Sequence, residues 1–195
     1  MLRIEGLQLS LGKFGLKGVQ AYDVRILPDE RGFFAEALRK DWRELLSEEW
    51  IDQVNLSCSY PGIVRAWHRH LRGQTDYFLV IRGSMKICAY DDGEQSDSKG
   101  HLAEVVASED RSQIVRIPGH YWHGTRTIGY RPSLIVYFVT KLYNYKNPDE
   151  ERRPWNDPRI VPTAINGKTD DHRVGKPIGR SIGKRIKRHM FFKAI

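Results

Sequence analysis

QVNLSCSYPGIVRAWHRHLRGQTDYFLVIRGSMKICAYDD, residues 53–92, is the stretch from which the fold is read. Val54, Leu56 and Cys58 alternate with Asn55, Ser57 and Ser59, the two-residue period of a strand, and Tyr60-Pro61-Gly62 ends the run. Arg65, His68, His70 and Gln74 stand between that turn and a second set of β-formers. Residues two apart on a strand share a face, so His68 and His70 are expected to point the same way, as the ligands or the catalytic base of a barrel interior would. Tyr77–Arg82 and Met85–Tyr90 flank Gly83-Ser84 and read as a hairpin with a two-residue turn.

Outward from this stretch the pattern stays β. Residues 18–27 suit one or two strands, and Pro28 to Leu38 suit a bend and a strand carrying Arg31, Phe33, Phe34 and Glu36. Residues 39–50, RKDWRELLSEEW, predict a short helix with Trp42, Leu45 and Leu46 on one side and acids opposite. Residues 91–100 form a polar loop, and a strand over Gln113–Ile117 leads into Pro118-Gly119 and the segment HYWHGT, with His120 and His123. Ser133 to Thr140 is an apolar run of strand length, and from Asn144 the chain reads as an ordered wrap with little regular structure. Many short strands, Pro/Gly turns and one helix predict an all-β barrel or sandwich. No 20–50-residue period repeats, which excludes a solenoid or propeller.

A chain of 195 residues fits one well-buried domain with an appendage. The net charge of +8 is local: residues 172–195 hold eight Lys or Arg and no acid, leaving 24 bases against 24 acids in residues 1–171. The boundary is therefore expected at a body of 1–171 and a basic tail of 172–195, and the body offers no basic face for nucleic acid. In the tail Ile178, Ile182, Ile186 and Met190 recur every four positions among basic residues. That pattern suits an amphipathic segment on its own or a partner subunit, contact with an anionic membrane surface, or a disordered tail. No apolar run is long enough for a membrane span, the N-terminus lacks a secretory core, and the two cysteines form no Cys-x-x-Cys pair. A cytoplasmic protein with buried thiols is the expectation.

Two chemistries suit the histidines. The order Gly62, His68, His70, Gln74, then Pro118-Gly119 and His123, resembles the two motifs of metal-binding cupins, with His68, His70, Gln74 and His123 as ligands. A neutral amide at Gln74 is a weaker ligand than the usual carboxylate.

The second resemblance rests on an ordered series: Asp29-x-Arg31-Gly32-x-Phe34-x-Glu36, Gln53-x-Asn55-x-Ser57, Gly62-x-Val64-Arg65-x-x-His68, Ile117-Pro118 before His123-Gly124, Tyr137, Tyr143, and Trp155-Asn156-Asp157-Pro158. Over residues 20 to 171 this resembles the dTDP-4-dehydrorhamnose 3,5-epimerase family. The resemblance implies an all-β, cupin-type jelly roll (double-stranded β-helix) with one or two short helices. It also implies no metal or other cofactor, and a homodimer in which an N-terminal segment crosses to the partner. It implies His68 as catalytic base, Tyr137 as proton donor, and an orienting acid at Asp170 or Asp171. Arg31, Arg65, Phe34, Glu36, Gln53, Asn55, His70, Gln74, His123 and Tyr143 are implied to contact a nucleotide sugar. The chemistry suits the residue types: His is unprotonated near neutral pH, Tyr holds a proton to give back, and Arg forks match diphosphate oxygens. The chain departs from the family at Ala66, Trp67, Asp76 and Ile87. Asp76 stands where a lysine would face the developing enolate, and a carboxylate there is expected to repel that charge. A sugar-nucleotide-binding protein without epimerase activity is the non-enzymatic alternative.

Overall fold

The computed structural model of the protein describes residues 14–160. In chain order these hold β1 (Gln20–Asp23), β2 (Ile26–Asp29), β3 (Gly32–Ala35), α1 (Arg43–Leu46), β4 (Gln53–Ser59), β5 (Val64–Arg69) and β6 (Thr75–Arg82). There follow β7 (Ser84–Tyr90), β8 (Leu102–Ser108), β9 (Gln113–Pro118), β10 (Trp122–Ile128), β11 (Ser133–Val139) and β12 (Glu151–Arg152). Two five-stranded antiparallel sheets, β1-β9-β6-β11-β4 and β12-β5-β10-β7-β8, form the all-β jelly roll, and β2 pairs only with β3. No helix of the described residues is long and apolar enough to cross a membrane.

The inward faces of both sheets meet in one apolar layer. Phe78, Val80, Val115, Ile117 and Ile135 of the first sheet pack with Met85, Ile87, Ala89, Ala103, Val105 and Ala107 of the second. Ile87, one of the departures from the family pattern, is fully buried there. Each large aliphatic side chain removed from water in this way contributes about 1.5–3 kcal/mol. The outer face of the first sheet is covered too, where Tyr22, Tyr77, Leu79 and Ile114 pack against Leu45 and Leu46. Strand β6 is thus buried on both faces from Thr75 to Val80, which is why its sequence is a continuous apolar run rather than an alternating one.

The helix expected over 39–50 is a single turn at 43–46, ended by Ser47 at φ 53°. The chain turns there because Glu49 leaves the solvent face to accept hydrogen bonds from Thr75 Oγ1 (2.7 Å), Arg116 Nη2 (2.8 Å) and the Tyr77 hydroxyl. The hairpin expected over residues 77–90 is also absent. β6 pairs with β9 and β11 while β7 pairs with β8 and β10, so Gly83 carries the chain from one sheet to the other. Strand β8 was not foreseen. β4 inverts the usual alternation: Gln53, Asn55 and Ser57 are half-buried while Val54 and Leu56 are exposed. Cys58 is exposed as well, contrary to the buried thiol expected.

The crossover at Gly83 is tight. Its φ is +73°, and a Cβ there would lie 2.7 Å from the Pro132 carbonyl oxygen and 2.8 Å from Ser133 Oγ. Gly62 has a similar φ of +76° but nothing within 4 Å. Both alanine variants should lose roughly 1–2 kcal/mol for a left-handed non-glycine backbone. Gly83→Ala should lose measurably more in urea denaturation, and equal losses would show that the crossover tolerates a side chain.

Candidate active site

The site is assembled where the two sheets face each other. Strand β5 carries His68, and the register of the β5–β10 ladder sets His123 opposite it. That approach needs Gly124: a Cβ there would come within 2.3 Å of the Ala66 Cβ. His70 follows directly on β5, held by its backbone N–H to the Gly119 carbonyl at 2.6 Å, while the Gly119 N–H donates to the Gln74 carbonyl at 2.8 Å. The first sheet contributes Asp76, near the start of β6. The ring centroids of His68 and His123 lie 4.2 Å apart, those of His70 and His123 5.5 Å, and those of His68 and His70 5.9 Å.

Asp76 is the centre of this group rather than an intruder in it. Its Oδ2 lies 2.9 Å from His123 Nε2 and 3.6 Å from His70 Nε2, and its Oδ1 accepts from Gln74 Nε2 at 2.7 Å. The carboxylate is 2% exposed and His123 is wholly buried. His123 Nε2 is close to the carboxylate but off the line a ring N–H needs, so this buried nitrogen makes no hydrogen bond. The far nitrogens are anchored: His123 Nδ1 faces the Tyr121 carbonyl at 2.9 Å, and His70 Nδ1 faces the Asp149 carbonyl. Donor atoms of His68, His70, Asp76 and His123 all fall within 4.8 Å of one another, a set that suits a transition-metal ion. Gln74, expected among such ligands, instead points its amide N–H at Asp76; the acid takes the place foreseen for the amide.

His68 differs from its two neighbours. No described residue hydrogen-bonds its ring, and burial, followed by the charges of His123 and His70, holds its pKa well below the ordinary histidine value. It is therefore a neutral imidazole with a free lone pair near pH 7.

Across from it, Tyr137 lies on β11 of the first sheet. The Phe78 ring lies 5.9 Å from that of Tyr137 and 6.2 Å from that of His123. Burial and then the Asp76 charge raise the Tyr137 pKa, with Glu150 adding to the rise and Arg65 opposing it. Arg65 ties the two sheets at this edge by donating to Ser59 Oγ (2.9 Å) and the Cys58 carbonyl (3.2 Å). Gln53, Asn55 and Tyr143 also come together: Gln53 donates to Asn55 Oδ1 at 2.7 Å and accepts the Tyr143 N–H at 3.0 Å.

The remaining expected contacts are not gathered here. Arg31 pairs with Asp29 and Glu36 with Arg39, while Phe34 is 61% exposed on the β2–β3 ribbon. Asp170, Asp171 and the tail of residues 172–195 lie outside the described residues.

The ordered wrap expected from Asn144 is present, but the partners of residues 149–155 were not foreseen. Strand β12 pairs with β5, setting Arg152 opposite His68. Trp67 and Arg153 exchange backbone hydrogen bonds at 3.0 and 2.9 Å. Arg69 and Arg153 both stack on Trp122, at 4.4 and 4.1 Å, and both donate to Asp92. Asp149 accepts the backbone N–H groups of Leu71 and Arg72 at 3.0 and 2.8 Å. These contacts join residues from 23 to 86 positions apart, and no local spacing announces them.

Comparison with known proteins agrees with this architecture. The chain is 44% identical over 138 residues to a probable low-salt glycan biosynthesis epimerase of Haloferax volcanii, covering 71% of this chain and 87% of that one. It is 37% identical over 145 residues to the spore coat polysaccharide biosynthesis protein SpsL of Bacillus subtilis, covering 74% and 93%. Among solved structures, a dTDP sugar isomerase from Desulfovibrio desulfuricans matches with a TM-score of 0.69 at 28% identity, covering 76% of this chain and 91% of that chain. The fold is shared with a Legionella pneumophila dTDP-6-deoxy-D-glucose-3,5-epimerase in complex with dTDP-4-keto-L-rhamnose, with a TM-score of 0.70 at 24% identity over 78% and 81% of the two chains. Residues 13–169 match the sequence profile of the family described as dTDP-4-dehydrorhamnose 3,5-epimerase, and the chain belongs to that family of isomerases.

Proposed function

We propose that the protein epimerises a nucleotide-linked 4-keto-6-deoxy sugar at C3, at C5 or at both. The observations that carry this reading are the unanchored, neutral imidazole of His68 on β5 of one sheet and Tyr137 on β11 of the other, packed against the apolar layer between the sheets. A sugar ring between them meets a base on one face and an acid on the opposite face, as inversion requires. His68 takes the hydrogen α to the ketone, the C–H pair becomes the C=C bond, and the carbonyl pair moves onto oxygen as the enolate forms. Tyr137 then protonates the same carbon from the other side, and solvent resets both groups. The complex of the Legionella relative with a nucleotide-linked keto sugar supports the substrate class.

Arg65 at the mouth is assigned to the diphosphate, because a guanidinium matches its oxygens in pairs. Gln53, Asn55 and Tyr143 line the adjoining edge and are assigned to the sugar nucleotide. Arg31, Phe34 and Glu36 are assigned to the pocket of a second copy. The support is the β2–β3 ribbon itself, which exposes Ile26, Leu27, Phe33 and Phe34 although a lone two-stranded ribbon is marginally stable in water.

Three measurements check this reading. With dTDP-4-keto-6-deoxyglucose in deuterated water, the ring protons at C3, C5 or both should exchange, and His68→Ala should slow exchange by about 10²–10⁴-fold. Intact protein without exchange at either carbon excludes this substrate. Because the Tyr137 pKa is raised, its proton stays on through the ordinary tyrosine value, and kcat should stay level up to about pH 10. An alkaline limb at lower pH that survives Tyr137→Phe would assign the donor elsewhere. Light scattering should give a dimer, and Phe34→Glu should both weaken it and raise KM; a monomer of full activity excludes the shared pocket.

A further inference from the structure

Two of the three clustered histidines are built differently from the third. His70 and His123 each turn Nδ1 to a backbone carbonyl, which keeps the ring proton on that nitrogen and leaves Nε2 with its lone pair, 3.6 and 2.9 Å from Asp76 Oδ2. Histidines that bind metal are fixed in the same way, with the far nitrogen donating to a carbonyl so that the near one is free to coordinate. Lone pairs facing a carboxylate repel it unless a cation lies among them. Asp76 makes no salt bridge to a lysine or arginine among the described residues; its only ion-pair neighbours are these two histidines. Its outer oxygen is held by the Gln74 amide, so Oδ2 is the atom left to share. The fully buried His123 Nε2, without a hydrogen bond, points into the same space. His68 has no such anchor.

We propose that His70, His123 and Asp76 form a binding site for one divalent transition-metal ion of the zinc or cobalt class, with the unanchored ring of His68 beside it. The distances suit an ion. Ligands about 2.1 Å from a tetrahedral metal stand roughly 3.4 Å apart, and the Asp76–His123 and Asp76–His70 separations of 2.9 and 3.6 Å bracket that figure. Two imidazoles and one carboxylate favour such an ion over magnesium or calcium, which take mostly oxygen ligands. Three protein ligands leave a coordination position open. In the role that follows, which rests on the epimerase reading, the ion offsets the Asp76 charge and offers an electrophile to the keto oxygen while His68 removes the neighbouring proton.

The test uses tag-free, chelator-treated full-length protein titrated with zinc by calorimetry and with cobalt by visible absorption. One equivalent should bind, with a tetrahedral or five-coordinate cobalt spectrum. Asp76→Asn and His70→Gln should each weaken binding at least tenfold, and Gln74→Ala by about tenfold through loss of the group holding Asp76. His120→Gln, which leaves the cluster intact, should bind as the parent does, and thermal melting shows which variants stay folded. No stoichiometric binding, or equal binding by the folded cluster variants, overturns the site. Solvent exchange on the keto sugar should fall at least tenfold on chelation and return with zinc or cobalt. Equal exchange in chelated and loaded enzyme overturns the role, whereas stoichiometric binding without exchange under any condition overturns the epimerase reading and leaves the site standing.

Discussion

A carboxylate buried between two sheets is the constraint around which this site is arranged. Asp76 has lost its water, and a lone charge in that position is costly unless polar partners replace the solvent. The Gln74 amide, two positions back, donates to it, while His123 from the facing sheet and His70 from the end of β5, itself held by the Asp149 carbonyl of the wrap, bring ring nitrogens to its other oxygen that a cation would share with it. The acid therefore brings side chains of both sheets together at the site. It also divides the histidines into two that are anchored and one that is free to accept a proton.

The wrap of residues 149–155 makes this arrangement durable. Trp122 stacked between two guanidiniums, with Asp92 receiving hydrogen bonds from all three side chains, gives each charge a partner at close range. These side chains are a fifth to a quarter exposed, where screening keeps ion pairs modest, so the stacking and the backbone pairing with β5 contribute at least as much as the charges. The clasp holds Glu150 and Arg152 where their charges act on Tyr137 and His68.

Much of the fold was legible because periodicity reports burial. The alternating run up to Ser59 and the strands expected over 113–117 and 133–140 appear as β4, β9 and β11, the last two within one residue of the expected ends. The errors have specific causes. Residues 39–50 contain helix formers, but Glu49 gains more from Arg116 and Tyr77 than a second helical turn would return. Gly83-Ser84 looks like a hairpin turn because local sequence cannot say whether the strands on either side meet each other or two different sheets. At the site, the motif order singled out His68 and His123, whose rings lie 4.2 Å apart. The partners of Asp76 were not legible: a substitution that reads as a misplaced charge along the chain is surrounded by compensating groups only in three dimensions.

The crossover at Gly83 also bears on how the molecule reaches this state. Because most neighbouring strands of the two large sheets, β7 and β8 excepted, are sent to opposite sheets, the ladders join distant segments: β1 with β9, β4 with β11, β5 with β10. Neither sheet can form from a contiguous piece of chain, and loop closure must come before most of the pairing is gained. Such topologies fold on millisecond-to-second timescales rather than in microseconds. During that interval the apolar strands of both sheets lack their final partners, so the jelly roll's dependence on long-range pairing makes its ascent to the native state, more than its endpoint, the stage most exposed to aggregation.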